Sequence, residues 1–183
     1  MYTKMDEKNK LLRYFFEEPE REFHVRELAK LLKKSPTTIS KYLNELKKEG
    51  ILVSERRLNH LLFKANSKSF QFKDAKLFYN LKKIRESGIL EYLDEQLNHP
   101  QAIILFGSFV KSENIKKSDI DLFIITSIKK NLDLKEFEKK LGHEIQLFLH
   151  SNQEIKEMKQ KKEPLLNSII NGIVLNGYWE LLK

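Results

Sequence analysis

The chain has 183 residues, 40% of them hydrophobic and 33% charged, which is room for one large domain or two small ones with real apolar cores. Its net charge of +8 and pI near 9.4 favour a polyanionic partner. The lack of cysteine excludes disulfides, thiolate metal sites and a cysteine nucleophile.

No apolar run approaches the ~20 residues of a membrane span, and the polar opening MYTKMDEKNK carries no signal-peptide core. The expectation is a cytoplasmic protein with no membrane partner. Abundant Lys, Glu and Ile with scarce Gly are a mark of thermophiles and equally of AT-rich genomes.

Residues 3–17 set Met5, Leu11, Leu12, Tyr14, Phe15 and Phe16 among charges at helical spacing, and Pro19 limits the helix. His24 to Leu32 reads as a second helix with Val25, Leu28, Leu31 and Leu32 on one side. After a short turn, Ser35 is an N-cap and Pro36 takes the first helical position, where its missing N–H costs nothing. The third helix runs to Glu49 on Ile39, Leu43 and Leu46, and Gly50 stops it. Ile51–Ser54 and Leu61–Lys64 are strand candidates, joined by a basic hairpin tip over 55–60.

Two helices across a tight turn, then a basic hairpin, make a helix-turn-helix with a wing. Residues 25–66 hold ten Lys or Arg against four Glu, a surplus of six that is most of the net charge. The outer face of the third helix presents Thr37, Thr38, Ser40, Lys41, Asn44 and Lys48. Hydroxyls and amides reach base edges, and lysines neutralise phosphates. Arg56 and Arg57 suit the backbone or the adjoining minor groove. The expected partner is double-stranded DNA.

The phrase VRELAKLLKKSPTTISKYLNELKKEGILVSERR resembles the winged-helix regulators of bacteria and archaea over most of residues 5–66. Residues 65–73 read as the exit from the wing, and 74–98 as helix broken at Ser87-Gly88. Leu77, Phe78, Leu81 and Ile84 form one stripe and Leu90, Leu93 and Leu97 another. These stripes suit packing on the second domain or the pairing of two subunits into a homodimer.

In the second half, Ala102–Phe106 is an apolar run of buried-strand type ending at Gly107-Ser108. A Lys-rich segment follows, then Ser118-Asp119-Ile120-Asp121 opens a second apolar strand. Side chains two apart on a strand share a face, so Asp119 and Asp121 converge while Ile120 and Leu122 turn into the core. Converged carboxylates call for a cation. Mg²⁺ is held by one or two carboxylates together with substrate phosphates and water. Gly107 lets a phosphate approach the backbone, and Ser108 offers it an N–H and a hydroxyl. His143, His150 and Trp179 read as packing or surface residues.

The Gly-Ser turn followed by Ser-Asp-x-Asp-Leu resembles the polymerase-β-like nucleotidyltransferases, most of all the minimal group of bacteria and archaea. The likeness covers roughly residues 85–180, including the ending 170–177 as a short terminal strand. The resemblance implies an α+β chain: an N-terminal winged helix (three helices plus a β-hairpin) over 1–70, linker helices over 71–98, and a small mixed-sheet nucleotidyltransferase domain over 99–183. It further implies Gly107, Ser108, Lys111 and Ser118 as nucleotide-binding residues. Asp119 and Asp121 would be the catalytic ligands of Mg²⁺ (or Mn²⁺), with an NTP such as ATP as substrate.

Two departures stand out. The turn reads Gly107-Ser108-Phe109-Val110-Lys111-Ser112, and the position of the family's usual third carboxylate reads Gln146, with Glu144 two residues earlier on the same face as its catalytic substitute. Members of the minimal group act as antitoxins that adenylylate a small helical toxin. The expected function is therefore NMP transfer, AMP above all, to a protein or small-molecule hydroxyl by an autoregulating DNA-binding protein. A transcription regulator that only senses nucleotide is the alternative, and a nucleic-acid-modifying enzyme a third reading.

Overall fold

The structure, a computed structural model, describes residues 2–58 and 60–180, the side chains of residues 2–6 excepted. The Met5 side chain and the wing residue Asn59 lie outside the described residues. The chain divides into two compact units, Met1–Tyr79 and Asn80–Lys183.

The first unit opens with α1 (Tyr2–Glu17), β1 (Phe23–His24), α2 (Val25–Leu32) and α3 (Pro36–Lys48). The hairpin β2 (Leu52–Arg57) and β3 (His60–Ala65) follows, and then α4 (Phe70–Glu86), whose first turns belong here. Leu11, Leu12, Phe15 and Phe16 of α1 pack with Leu28, Ile39, Leu43, Leu46 and Phe63 in one buried cluster. Ser35 caps α3 by accepting from the Thr38 N–H at 3.1 Å, with Pro36 just inside. At the other end Gly50 takes φ +76°, its N–H reaching the Lys47 carbonyl and that of Ile51 the Leu46 carbonyl. Both bonds close orphan carbonyls of the last turn.

Three local expectations are corrected. His24 is the N-cap of α2 and part of a short strand that pairs with β3, because Phe23 is drawn into the core opposite Phe63. The hairpin ladder runs from Leu52–Ala65 to Arg57–His60, so Glu55, Arg56, Arg57 and His60 lie in strands and not in the tip. Helix α4 buries Phe72, Lys76, Asn80 and Ile84, whereas Phe78 is exposed and Leu77 and Leu81 only half-buried. The buried stripe is therefore half polar, which apolar periodicity cannot register.

The second unit comprises α5 (Ile89–Gln96), β4 (Ala102–Phe106), β5 (Ile120–Ile125), α6 (Lys135–Leu141), β6 (Ile145–His150), α7 (Asn152–Gln160), α8 (Pro164–Ile170) and β7 (Ile173–Gly177). Its sheet order is β6-β5-β4-β7, with β5 parallel to β6 and the other pairs antiparallel. Both faces are covered. Ile103, Leu105, Ile120, Leu122 and Ile124 pack with Leu90, Leu93 and Leu97 of α5 and its end, and with Leu141 of α6. On the other face Ile104, Phe106, Phe123 and Ile125 pack with Ile155 and Met158 of α7 and Leu166 and Ile169 of α8. A central strand buried on both faces explains why β4 and β5 read as unbroken apolar runs.

Candidate active site

The two aspartates stand where β5 leaves the apolar interior. Asp121 is the first polar residue on the α7/α8 face of that strand, registered between Phe106 of β4 and Gln146 of β6. Phe123 lies behind it and is fully buried. Asp119 sits one step outward. Burial, and then the charge of Asp119, push the Asp121 carboxyl above the ordinary aspartate value.

Gly107 follows β4 directly and has φ +74°, the left-handed region that favours glycine. A Cβ there would overlap Asp121 Oδ2 and stand 3.3 Å from its Cγ. The bare backbone of the Gly107-Ser108 turn is thus pressed against the Asp121 carboxylate, and glycine keeps that space open. The Ser108 side chain and the exposed Lys111 have no partner among the described residues.

The turn is held from behind. The Ser108 carbonyl accepts from the Glu113 and Asn114 N–H groups at 3.0 and 3.2 Å. The buried Asn80 amide donates to the Phe109 carbonyl at 3.1 Å and to Asn114 Oδ1 at 2.9 Å. The Ser118 hydroxyl accepts from the Ile115 N–H at 2.9 Å, closing the turn that delivers Asp119. His143 Nδ1 meets the Ser118 carbonyl at 2.7 Å while its ring packs edge-on against Phe109. Ser118 and His143 therefore shape the loop, and the Ser118 hydroxyl keeps its O–H to donate.

Gln146, and not Glu144, is the β6 side chain that meets the aspartates. Its Nε2 donates to Asp119 Oδ2 at 2.7 Å. Glu144 sits in the turn before β6, its carbonyl accepting from the Ile120 N–H at 2.8 Å and its side chain exposed. Among the described residues no group of three or more His, Asp or Glu side chains is gathered about one point. Glu144, expected to stand in for the third carboxylate, lies one residue before β6 on the face of Gln146 and is exposed as Gln146 is, but Gln146 is the one bonded to Asp119.

This donor set fits a divalent cation of the magnesium type. It offers two hard carboxylate oxygens beside a bare backbone turn, and not an all-protein cage. Such an ion brings much of its coordination from phosphates and water.

Sequence reading had no hold on the Asn80–Asn114 anchor, since the two residues are far apart in the chain and neither sits in a motif. The Gln146–Asp119 bond was half visible, because the departure at 146 was plain and its partner was not.

In the first unit, Thr37, Lys41, Asn44 and Lys48 lie exposed on α3, with Thr38 and Ser40 half-buried. The Thr38 hydroxyl is 2.8 Å from Ser35 Oγ within the cap. The Asn44 amide donates back to the Ser40 carbonyl at 2.8 Å. Lys41, Lys48 and Arg56 have no partner among the described residues. Arg57 is paired with Glu55 and Glu22 at 2.7 and 3.1 Å, and Lys64 with Glu20 at 2.5 Å. Acidic residues ahead of the counted segment fold back on the wing and offset part of its charge surplus.

Residues 88–178 match the family described as Polymerase beta, Nucleotidyltransferase. Residues 7–54 match that described as Bacterial regulatory protein, arsR family. No curated protein matches the chain.

Proposed function

Because this chain joins an arsR-type winged helix-turn-helix to a nucleotidyltransferase domain of the polymerase-β-like family, we propose that it is a DNA-binding regulator whose second domain takes an NTP with Mg²⁺ and transfers its NMP. AMP is the group proposed, moved from ATP to a hydroxyl of a protein or small molecule. A small helical toxin-like protein under the control of the same DNA-binding module is the partner that suits this arrangement.

The observation that carries the reading is the closure of the Gly107-Ser108 turn on Asp121, with Asp119 beside it. The free Ser108 hydroxyl and the turn's bare backbone would cradle the phosphates, and Lys111 would offset their charge. Asp119 and Asp121 would hold the cation. When bound, that ion supplies charge neutralisation at the departing pyrophosphate and acidifies the attacking hydroxyl. The acceptor oxygen would attack the α-phosphorus as its proton passes to water, the bond from that phosphorus to the oxygen bridging to the β-phosphate would break, and pyrophosphate would leave.

A second reading is favoured by one contact. Gln146 stands bonded to Asp119 where the family's third carboxylate is expected, which suits a domain that senses nucleotide and does not transfer it. Transfer of label from α-labelled ATP to a candidate partner, with and without Mg²⁺, separates the two. The expected outcome is Mg²⁺-dependent transfer that is lost in Asp119→Ala and Asp121→Ala and kept in Glu144→Gln. Nucleotide binding with no transfer to any acceptor would establish the sensor instead.

A further inference from the structure

Two carboxylates sharing one face repel each other, and the usual relief is a cation. Here part of that relief comes from the protein itself. Gln146 Nε2 donates to Asp119 Oδ2 at 2.7 Å, and only the NH₂ end of an amide can face a carboxylate in this way. We propose that Gln146 makes this a conditional metal site: its amide holds Asp119 in place of a cation, so that a divalent ion loads only in company with nucleotide phosphates. The conditional part rests on the nucleotide-binding reading above, whereas the competition between amide and cation does not.

A free ion gains little at this site. An ion that takes Asp119 Oδ2 must displace the Gln146 N–H, and one that takes Oδ1 shares the carboxylate charge with it. Either then finds an uncharged amide where a third carboxylate would have stood, since Glu144 is exposed and no third acidic or imidazole group is gathered there among the described residues. Mg²⁺ dehydrates reluctantly, and two carboxylates alone are a thin return for it.

Phosphates brought in by a nucleotide on the Gly107-Ser108 turn supply the missing anionic oxygens. The terminal torsion of glutamine is broad and roughly two-fold. Once the phosphates have brought the ion, the amide can therefore turn, giving up its bond to Asp119, and present Oε1. Occupancy of the site would then follow nucleotide supply and not the level of free metal.

The probe is Mn²⁺, its binding to the full chain read from its EPR signal, with thermal unfolding confirming that each variant is folded. Without nucleotide, Gln146→Leu is expected to bind Mn²⁺ several-fold more tightly than the wild type, because nothing has to leave Asp119. Gln146→Glu should bind it about tenfold more tightly or better, since ligand charge count tunes divalent affinity. The glutamate variant should also gain thermal stability from Mn²⁺ alone, an effect the wild type lacks.

Wild type binding free Mn²⁺ more tightly than Gln146→Leu would make the amide an ordinary ligand and overturn the proposal. A non-hydrolysable ATP analogue should bring Mn²⁺ into the wild-type site. Failure of that arm in every variant would overturn the nucleotide reading and the conditional loading, while the comparisons without nucleotide would still decide whether the amide competes with the ion.

Discussion

Single residues carry costs here that the folded chain accepts for the sake of position. Asp121 is held half-buried between Phe106 and Gln146, and its raised carboxyl means that its ionised form works against folding at neutral pH. Lys76 is a second instance, away from the aspartates. It is buried on α4 with its Nζ 5.8 Å from the centre of the Phe72 ring, and burial pulls its ammonium down to about 8. Below that value both folded and unfolded chains hold the proton, and the full cost of burying the charge is present. As pH rises from about 8 towards 10.5 the folded chain releases the proton first, so the unfolded chain binds more protons and stability climbs. Lys76→Met should therefore unfold at a higher temperature than the wild type at pH 7, with the gap narrowing towards pH 10. A gap that stayed constant across that range would show that desolvation is not what depresses Lys76.

At the scale of elements, α3 and the wing divide their cations into free and occupied. Lys41 and Arg56 have no partner among the described residues, whereas Arg57 already bridges Glu22 and Glu55. A cation that must leave an ion pair to reach a phosphate gains less than one that leaves only water. Lys41→Ala and Arg56→Ala should each weaken binding to any duplex and lower the salt-dependence slope by about one. Arg57→Ala should cost less than either, as measured by binding titrations over a range of salt concentrations. An Arg57→Ala loss that exceeded the other two would mean that the Glu22 and Glu55 pairs open on binding and that Arg57 is a principal contact.

At the scale of the whole molecule, each unit has a core of its own. Phe15, Phe23, Leu43 and Phe63 close the first, and the two covered faces of the sheet close the second. The boundary falls between Tyr79 and Asn80 inside the continuous helix α4. A fragment of residues 1–79 keeps Phe72, Ala75 and Tyr79 with the cluster they join. It should bind duplex DNA alone, with an affinity that falls steeply as salt rises. A fragment cut at residue 70 loses those three contacts and should unfold at a lower temperature. Equal melting temperatures for the two, or no DNA affinity at low salt, would contradict this division of labour.

What the sequence by itself determined is the part of this protein written in local chemistry. Ser35-Pro36 and Gly50 bracket α3, the apolar runs 102–106 and 120–125 are strands, and Gly107-Ser108 with Asp119 and Asp121 mark the candidate site. Capping, period-two alternation and positive φ each act within a few residues, so the pattern and its cause lie together in the chain. The tertiary structure decided what depends on partners far apart. It turned α4 onto a half-polar face so that Asn80 could hold the Asn114 loop, and it bonded Gln146, and not Glu144, to Asp119 across 27 positions. It also folded Glu20 and Glu22 onto the wing's cations. Hydrogen bonds and ion pairs between distant residues leave no periodic trace, because the chain's own spacing places no limit on which polar group a fold will carry to which.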